Sequence, residues 1–140
     1  MTKRRPAHTP IRGYQAFARL VRFGDHGLIP AIIQDAKSRQ VLTLCYFNAA
    51  ALKKSFATGT VHLFRRSQQR LMQKGETSGH IQVIREVRAD CEGKSLLLLV
   101  DQRVAACHAG CFTCYFRKVN RAGRLAVVGR RVFDPTRVCR

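Results

Sequence analysis

Three cysteines lie within eight residues of this 140-residue chain, at Cys107, Cys111 and Cys114. Such clustering favours metal binding, because thiolates are strong ligands for zinc and for iron–sulfur clusters. The spacing allows three interpretations. The first is the iron–sulfur loop of radical enzymes, although this chain is short for such an enzyme. The others are a structural zinc site completed by Cys91 and a catalytic zinc site with one coordination position open to water. His108 favours the catalytic zinc, because an imidazole beside the metal can transfer protons.

A polar loop over Lys74–His80 (KGETSGH) has a composition that suits an anionic ligand. Glycines let the backbone approach an anion closely, and lysine, serine and threonine donate hydrogen bonds to phosphate oxygens. The composition is equally typical of a polar hairpin loop without a ligand. The residues alone leave both interpretations open.

Two carboxylates flank a thiol in the segment formed by Asp90, Cys91 and Glu92. Carboxylate oxygens suit Mg²⁺, and a thiolate suits Zn²⁺. Alternation along an extended segment predicts that Asp90 and Glu92 share one face and that Cys91 lies on the other, so that two metal sites could share the segment. The common alternative is an acidic surface turn beside a buried thiol.

The composition and the length of the chain exclude several classes of protein. Hydrophobic residues make up 46% of the chain, which argues against a mainly disordered protein, and the length suits one domain. The longest wholly apolar run, residues 96–100, is too short to cross a bilayer, and no secretory signal is recognisable. We therefore expect a cytoplasmic protein without a membrane partner. The net charge of +18 predicts anionic partners such as phosphorylated metabolites or nucleic acid.

Local patterns predict an α+β fold in which antiparallel strand pairing dominates. Apolar segments at 28–35 and 41–47 flank a polar turn and indicate a strand pair. Asn48 is a suitable N-cap for a short helix that ends near Gly59. Further strands are predicted at 61–64, 81–89, 96–100 and 112–119.

The order of these motifs resembles that of the phosphoribosyl-AMP cyclohydrolase family, hydrolases that open the adenine ring in histidine biosynthesis. The resemblance runs from about Phe23 to Phe116 and is specific, because it includes seven consecutive loop residues and cysteines in the same order. The matching segments include Gly27–Asp35, Thr58–His62, Arg66-Ser67, Lys74–His80, Asp90-Cys91, Cys107-His108 and Cys114.

The resemblance implies a single domain, mostly antiparallel strands with short helices, over residues 23–119, flanked by basic extensions at 1–22 and 120–140. It implies an intertwined homodimer with active sites at the subunit interface. A zinc ion would be held by Cys91 of one subunit with Cys107 and Cys114 of the other, and its hydroxide would attack C6 of the adenine. His108 matches the candidate acid/base. The residues that match substrate-binding segments are Arg66, Ser67, Lys74, Thr77, Ser78 and His80.

One departure affects a second metal. Family members usually carry a three-acid Mg²⁺ motif where this chain has Asp90, Glu92 and Lys94. An ammonium at Lys94 could take the place of the ion and neutralise the same acids, or the site and the activity could both be lost. Cys111 is an extra thiol, either a replacement zinc ligand or a small core residue.

Two other functions stay open. A divergent paralogue could act on another purine-like substrate, which the altered magnesium motif suggests. A non-catalytic zinc protein could bind nucleic acid through its excess of Lys and Arg. Few aromatic residues are available to stack on bases, and a structural protein would have no need of His80 and His108.

Overall fold

The computed structural model describes residues 9–76, 79–102 and 111–129, in which short strands outnumber helices. The elements are α1 (Tyr14–Ala18), β1 (Ile29–Asp35), β2 (Val41–Phe47), α2 (Ala49–Thr58), β3 (His62–Arg65), β4 (Arg70–Gln73), β5 (Gln82–Ala89), β6 (Leu96–Gln102), β7 (Arg117–Val119) and β8 (Leu125–Val127), with a 3₁₀ turn at Asp25–Gly27.

The main sheet has four strands in the order β2-β1-β6-β5. The pairs β1–β2 and β5–β6 are antiparallel, whereas β1 and β6 are parallel. Two hairpins, β3–β4 and β7–β8, complete the strands of the described chain. The predicted α+β class with dominant antiparallel pairing is confirmed.

The core lies between one face of this sheet and helix α2. Ile29, Ala31 and Ile33 alternate along β1 and are fully buried on that face. Leu52 and Phe56 of α2 pack into the same cluster. Burying these side chains stabilises the sheet by roughly 1.5–3 kcal/mol for each large residue.

Helix α2 begins and ends as its sequence predicts. The Asn48 side chain accepts a hydrogen bond of 2.8 Å from the N–H of Ala51, which caps the first turn. Gly59 follows the last turn with φ of 71°, a left-handed conformation that glycine adopts without strain. These two residues fix the ends of the helix, after which the chain continues into β3.

Residues 11–17 pack on α2. The rings of Tyr14 and Phe17 lie 5.6 and 5.5 Å from the ring of Phe56, measured between centroids. The N–H of Ile11 donates to the carbonyl of Phe56 at 2.7 Å. The sequence did not predict α1, whose five residues are held by these contacts rather than by helix propensity.

The second face of the main sheet is apolar and partly exposed. Ile32, Val41 and Leu44 lie on it, and 38, 46 and 44% of their surfaces are exposed to solvent. Ile32 pairs with Leu44 of β2 on one side and with Leu97 of β6 on the other. We call this surface, defined by Ile32, Val41, Leu44 and Leu97, the outer face. Among the described residues no helix is long and apolar enough to span a membrane.

The predicted strand at 112–119 is shorter than expected, because only Arg117–Val119 is extended and paired. Before it, the Thr113 hydroxyl donates to the Val41 carbonyl at 2.6 Å, and the N–H of Cys114 donates to the Leu42 carbonyl at 2.7 Å. These bonds attach the segment to the start of β2 without forming a strand ladder. They fix the backbone position of Cys114.

Candidate active site

The turn between β5 and β6 carries Asp90, Cys91 and Glu92, and it is closed by the Asp90 carboxylate. Oδ1 accepts the N–H groups of Glu92 at 3.0 Å and of Lys94 at 2.9 Å, while the Ser95 hydroxyl donates to Oδ2. These bonds, the Ser95 hydroxyl first, hold the pKa of Asp90 below its ordinary value. The predicted alternation of these residues along an extended segment is wrong, because the chain turns at this point.

A close contact with the N-terminal segment fixes this turn. The N–H of Arg22 donates to the Gly93 carbonyl at 2.8 Å. Gly93 has φ of 70°, and a Cβ there would collide with the carbonyl oxygen of Leu20. Only glycine fits both the conformation and the approach. The turn therefore presents the exposed Cys91 thiol from a defined backbone.

The second candidate zinc ligand, Cys114, is attached to the start of β2 and lies within electrostatic range of Cys45 in that strand. Cys114 is half-buried, and both it and Lys74 interact electrostatically with Cys45 of β2. Burial raises the pKa of Cys45 to about 12, with a smaller lowering by Lys74 and a further rise from Cys114. Cys45 is therefore a neutral thiol at pH 7, and Lys74 and Cys114 both lie within electrostatic range of it.

The thiols fit the chemistry of a zinc site. Cys45, Cys91, Cys111 and Cys114 are free thiols among the described residues. A single copy of the part of the chain that the structure describes has no group of three or more His, Cys, Asp or Glu placed to bind a metal. Cys111 is buried and lines a small pocket with Ser38 and Gln40, so its burial is established while its predicted alternative role as a zinc ligand stays a prediction. Cys107 and His108 lie outside the described residues, so their predicted roles stay predictions.

The Lys74–His80 loop begins with a tight backbone contact. Gly75 has φ of 88°, and a Cβ there would overlap the backbone of His80. The N–H of Gly79 donates to the Gly75 carbonyl at 2.7 Å, and the N–H of Lys74 donates to the Val61 carbonyl at 2.9 Å. Gly75 thus allows a close approach within the loop's own backbone, and the predicted approach of these glycines to an anion stays a prediction. Thr77 and Ser78 lie outside the described residues.

The hairpin turn between β3 and β4 carries the other predicted substrate-binding residues, Arg66 and Ser67, and both are exposed. The Arg66 guanidinium carbon lies 3.9 Å from the centroid of the Tyr46 ring. This is within the range of a cation–π interaction. The contact joins the hairpin to strand β2 of the main sheet.

Comparison with known proteins places these elements in one family. The family model described as phosphoribosyl-AMP cyclohydrolase matches residues 43–116, more than half of the chain. This chain belongs to the phosphoribosyl-AMP cyclohydrolase family. The match contains the Lys74–His80 loop, the β5–β6 turn and Cys114.

Several curated relatives of the cyclohydrolase family are similar over most of the chain. The phosphoribosyl-AMP cyclohydrolase of Haloquadratum walsbyi is 48% identical over 118 residues, which cover 84% of this chain and 86% of that protein. That of Methanosarcina barkeri is 49% identical over 114 residues, or 81% and 85% of the two chains. A histidine biosynthesis bifunctional protein of Thermoanaerobacter pseudethanolicus is 44% identical over 118 residues, 84% of this chain and 54% of that protein.

For a cyclohydrolase-family member, the β5–β6 turn does not fit a magnesium ion. The Lys94 ammonium pairs with the Glu92 carboxylate at 2.8 Å, so a cation lies beside one of the two candidate magnesium ligands. The oxygens of Asp90 accept three hydrogen bonds from its own turn. Mg²⁺ requires near-octahedral oxygen ligands and loses its waters reluctantly. As this turn holds them, Asp90 and Glu92 are not arranged to suit Mg²⁺, and their predicted role as magnesium ligands stays a prediction.

Two contacts in this cyclohydrolase-family site were missed from the sequence. Ser95 closes the turn on Asp90, and the spacing of an aspartate, a glycine and a serine is a signal that could have revealed it. Tyr46 contacts Arg66 from a strand twenty residues earlier, and no local pattern predicts that pairing.

Proposed function

We propose that this chain hydrolyses phosphoribosyl-AMP, opening its adenine ring between N1 and C6 in histidine biosynthesis. The observation that carries the proposal is the family match over residues 43–116, which contains the loop, the turn and Cys114. The placement of Lys74 and Cys114 around Cys45 supports it, because a phosphate contact and a metal ligand on the same part of the fold could serve one substrate. In the reaction, the oxygen of water adds to C6, the C6–N1 bond breaks, and the released N1 takes up a proton.

We propose zinc as the cofactor, held by Cys91 of one subunit with Cys107 and Cys114 of the other. When bound, zinc lowers the pKa of a coordinated water, so that hydroxide is available near neutral pH. The exposure of Cys91 supports the sharing of ligands, since its thiol is accessible to a second chain. His108, beside Cys107 in the sequence, is the proposed acid/base that moves the proton.

A homodimer would supply the two sets of zinc ligands. We propose that the outer faces of the two chains form the dimer interface. Ile32, Val41 and Leu44 form an apolar patch on an otherwise strongly basic chain. Such a patch favours association with an identical patch, because burying apolar surface is favourable and offsets the repulsion between two chains of charge +18. The nucleic-acid partner and the cytoplasmic location predicted from the sequence stay predictions.

Substrate binding is assigned to cations and hydroxyls around the loop. Lys74, Arg66 and Ser67 are proposed to contact the phosphates, together with Thr77, Ser78 and His80. Phosphate oxygens accept charge-assisted hydrogen bonds from Lys and Arg, which are about twice as strong as neutral ones. We propose that no magnesium ion assists at the β5–β6 turn, where the Lys94–Glu92 pair takes its place.

The test is turnover of phosphoribosyl-AMP by the purified, zinc-loaded chain, followed by the absorbance change of ring opening. We expect turnover of about 1–1,000 s⁻¹, the usual range for enzymes. AMP is the matched control and is expected to be inert, because without an N1 substituent its ring is not positively polarised. Zero turnover of phosphoribosyl-AMP, with and without added Mg²⁺, would contradict the proposal.

A further inference from the structure

The guanidinium of Arg66 rests on the ring of Tyr46, 3.9 Å from its centroid. Tyr46 lies in β2, half-buried, beside the fully buried Phe47 and opposite Pro30 of β1. Alternation along the strand places Tyr46 on the outer face, away from the core that Phe47 enters. Arg66 is exposed in the β3–β4 turn. The contact therefore fixes an exposed cation against a rigid strand.

The main chain of Arg66 is already fixed by its own turn. Its carbonyl accepts hydrogen bonds from the Gln69 backbone N–H at 3.3 Å and from the Gln69 side chain at 2.8 Å. Gln69 adopts φ of 49°, which reverses the chain into β4. The remaining freedom of Arg66 is in its side chain. The Tyr46 ring restricts that freedom.

Arg66 also keeps its hydrogen-bonding capacity. Within residues 9–76, 79–102 and 111–129, no carboxylate forms an ion pair with it, whereas its neighbour Arg70 is paired with Glu76. A guanidinium that stacks through its face leaves the N–H donors at its edge available. An anion can therefore bind Arg66 bidentately while the ring still holds the cation.

We propose that Tyr46 is a positioning residue for Arg66, holding the guanidinium ready for a phosphate of the substrate. This inference rests on the proposed function, because it takes Arg66 as a substrate contact. An unrestrained arginine side chain loses rotamer freedom when it binds its ligand. The Tyr46 ring removes part of that cost before the substrate arrives. Its effect falls on binding rather than on the chemical step.

The kinetic test compares Tyr46→Leu with Tyr46→Phe in the zinc-loaded enzyme. Loss of an exposed cation–π contact is expected to raise KM about 2- to 5-fold, with kcat within twofold of wild type. Tyr46→Phe keeps the ring, so its KM is expected to stay within twofold. Equal increases in both variants, or a fall in kcat alone, would overturn the proposal.

A double-mutant cycle separates positioning from a structural role. If Tyr46 acts through Arg66, Tyr46→Leu adds nothing to the KM of Arg66→Ala, whereas a structural role gives additive effects. A second additive rise in KM would overturn the proposal.

Proton NMR of the substrate-free protein tests the contact without turnover. Arg66 side-chain protons, assigned by their loss in Arg66→Ala, are expected to shift upfield in wild type and Tyr46→Phe but not in Tyr46→Leu. If the wild-type protons are not shifted, the positioning role of Tyr46 is overturned, while the proposed function is unaffected. Absent turnover with shifted protons would contradict the proposed function instead.

Discussion

Replacing Cys91 by serine is expected to remove zinc from the protein and to reduce turnover of phosphoribosyl-AMP by about a thousandfold or more. The reason is that a bound zinc ion lowers the pKa of water to near neutrality, and the attacking hydroxide depends on that shift. Cys91 is exposed on the β5–β6 turn, so each chain is expected to keep its fold, while loss of the bridging zinc ion is expected to lower the melting temperature of the dimer. Metal analysis and the ring-opening assay measure the two effects.

Cys111→Ala is the matched control, because Cys111 is the neighbouring thiol that the structure places in the core. We expect it to retain a full complement of zinc and to turn over substrate at a rate close to wild type. A Cys91→Ser variant that retained zinc and activity would contradict the assignment of Cys91. Loss of zinc in Cys111→Ala with an intact fold would make Cys111 the ligand instead.

Replacing Lys94 by aspartate is expected to create a divalent-cation site that the wild type lacks. The change removes the ammonium that pairs with Glu92 and adds a third acid to the turn. Three carboxylates on one turn attract Mg²⁺ or Mn²⁺, because hard cations bind oxygen ligands. Electron paramagnetic resonance of added Mn²⁺ measures this binding without any enzyme assay. We expect binding in Lys94→Asp and none at this turn in wild type.

Lys94→Ala is the matched control for this experiment, because it removes the cation without adding a ligand. We expect its Mn²⁺ binding to stay far weaker than that of Lys94→Asp. If wild type bound Mn²⁺ as tightly as Lys94→Asp, the ion pair would not replace the metal. If Lys94→Asp bound none, Lys94 would not occupy the metal's position.

The parts of the fold that sequence reasoning predicted are those with local signals. The strand pair β1–β2 follows from apolar segments about a polar turn, and α2 follows from the Asn48 cap and Gly59. Helix α1 was missed because its rings pack on Phe56, a contact made far along the chain. The parallel pairing of β1 with β6 is likewise non-local, and neither strand's sequence specifies its partner.

The site was predicted in its residue types but not in its geometry. Acids and a thiol at the β5–β6 turn were evident, yet the closing of that turn on Asp90 depends on Ser95 and on the approach of Leu20 to Gly93. The contact between Tyr46 and Arg66 depends on where the β3–β4 hairpin lies against the main sheet. Chemistry can be predicted from types and spacing, whereas contacts between distant segments need the fold.

The central claim is that each zinc site takes Cys91 from one chain and Cys107 and Cys114 from the other. It is tested most directly by a heterodimer of Cys91→Ser with Cys114→Ser, isolated through two different affinity tags. One of its two sites then keeps all three thiols, so we expect about half of the wild-type activity and about one zinc per dimer, although each variant alone is inactive. The heterodimer of Cys107→Ser with Cys114→Ser is the control and is expected to be inactive, because both of its sites lose a ligand. A Cys91→Ser and Cys114→Ser heterodimer as inactive as its parents would contradict the shared site.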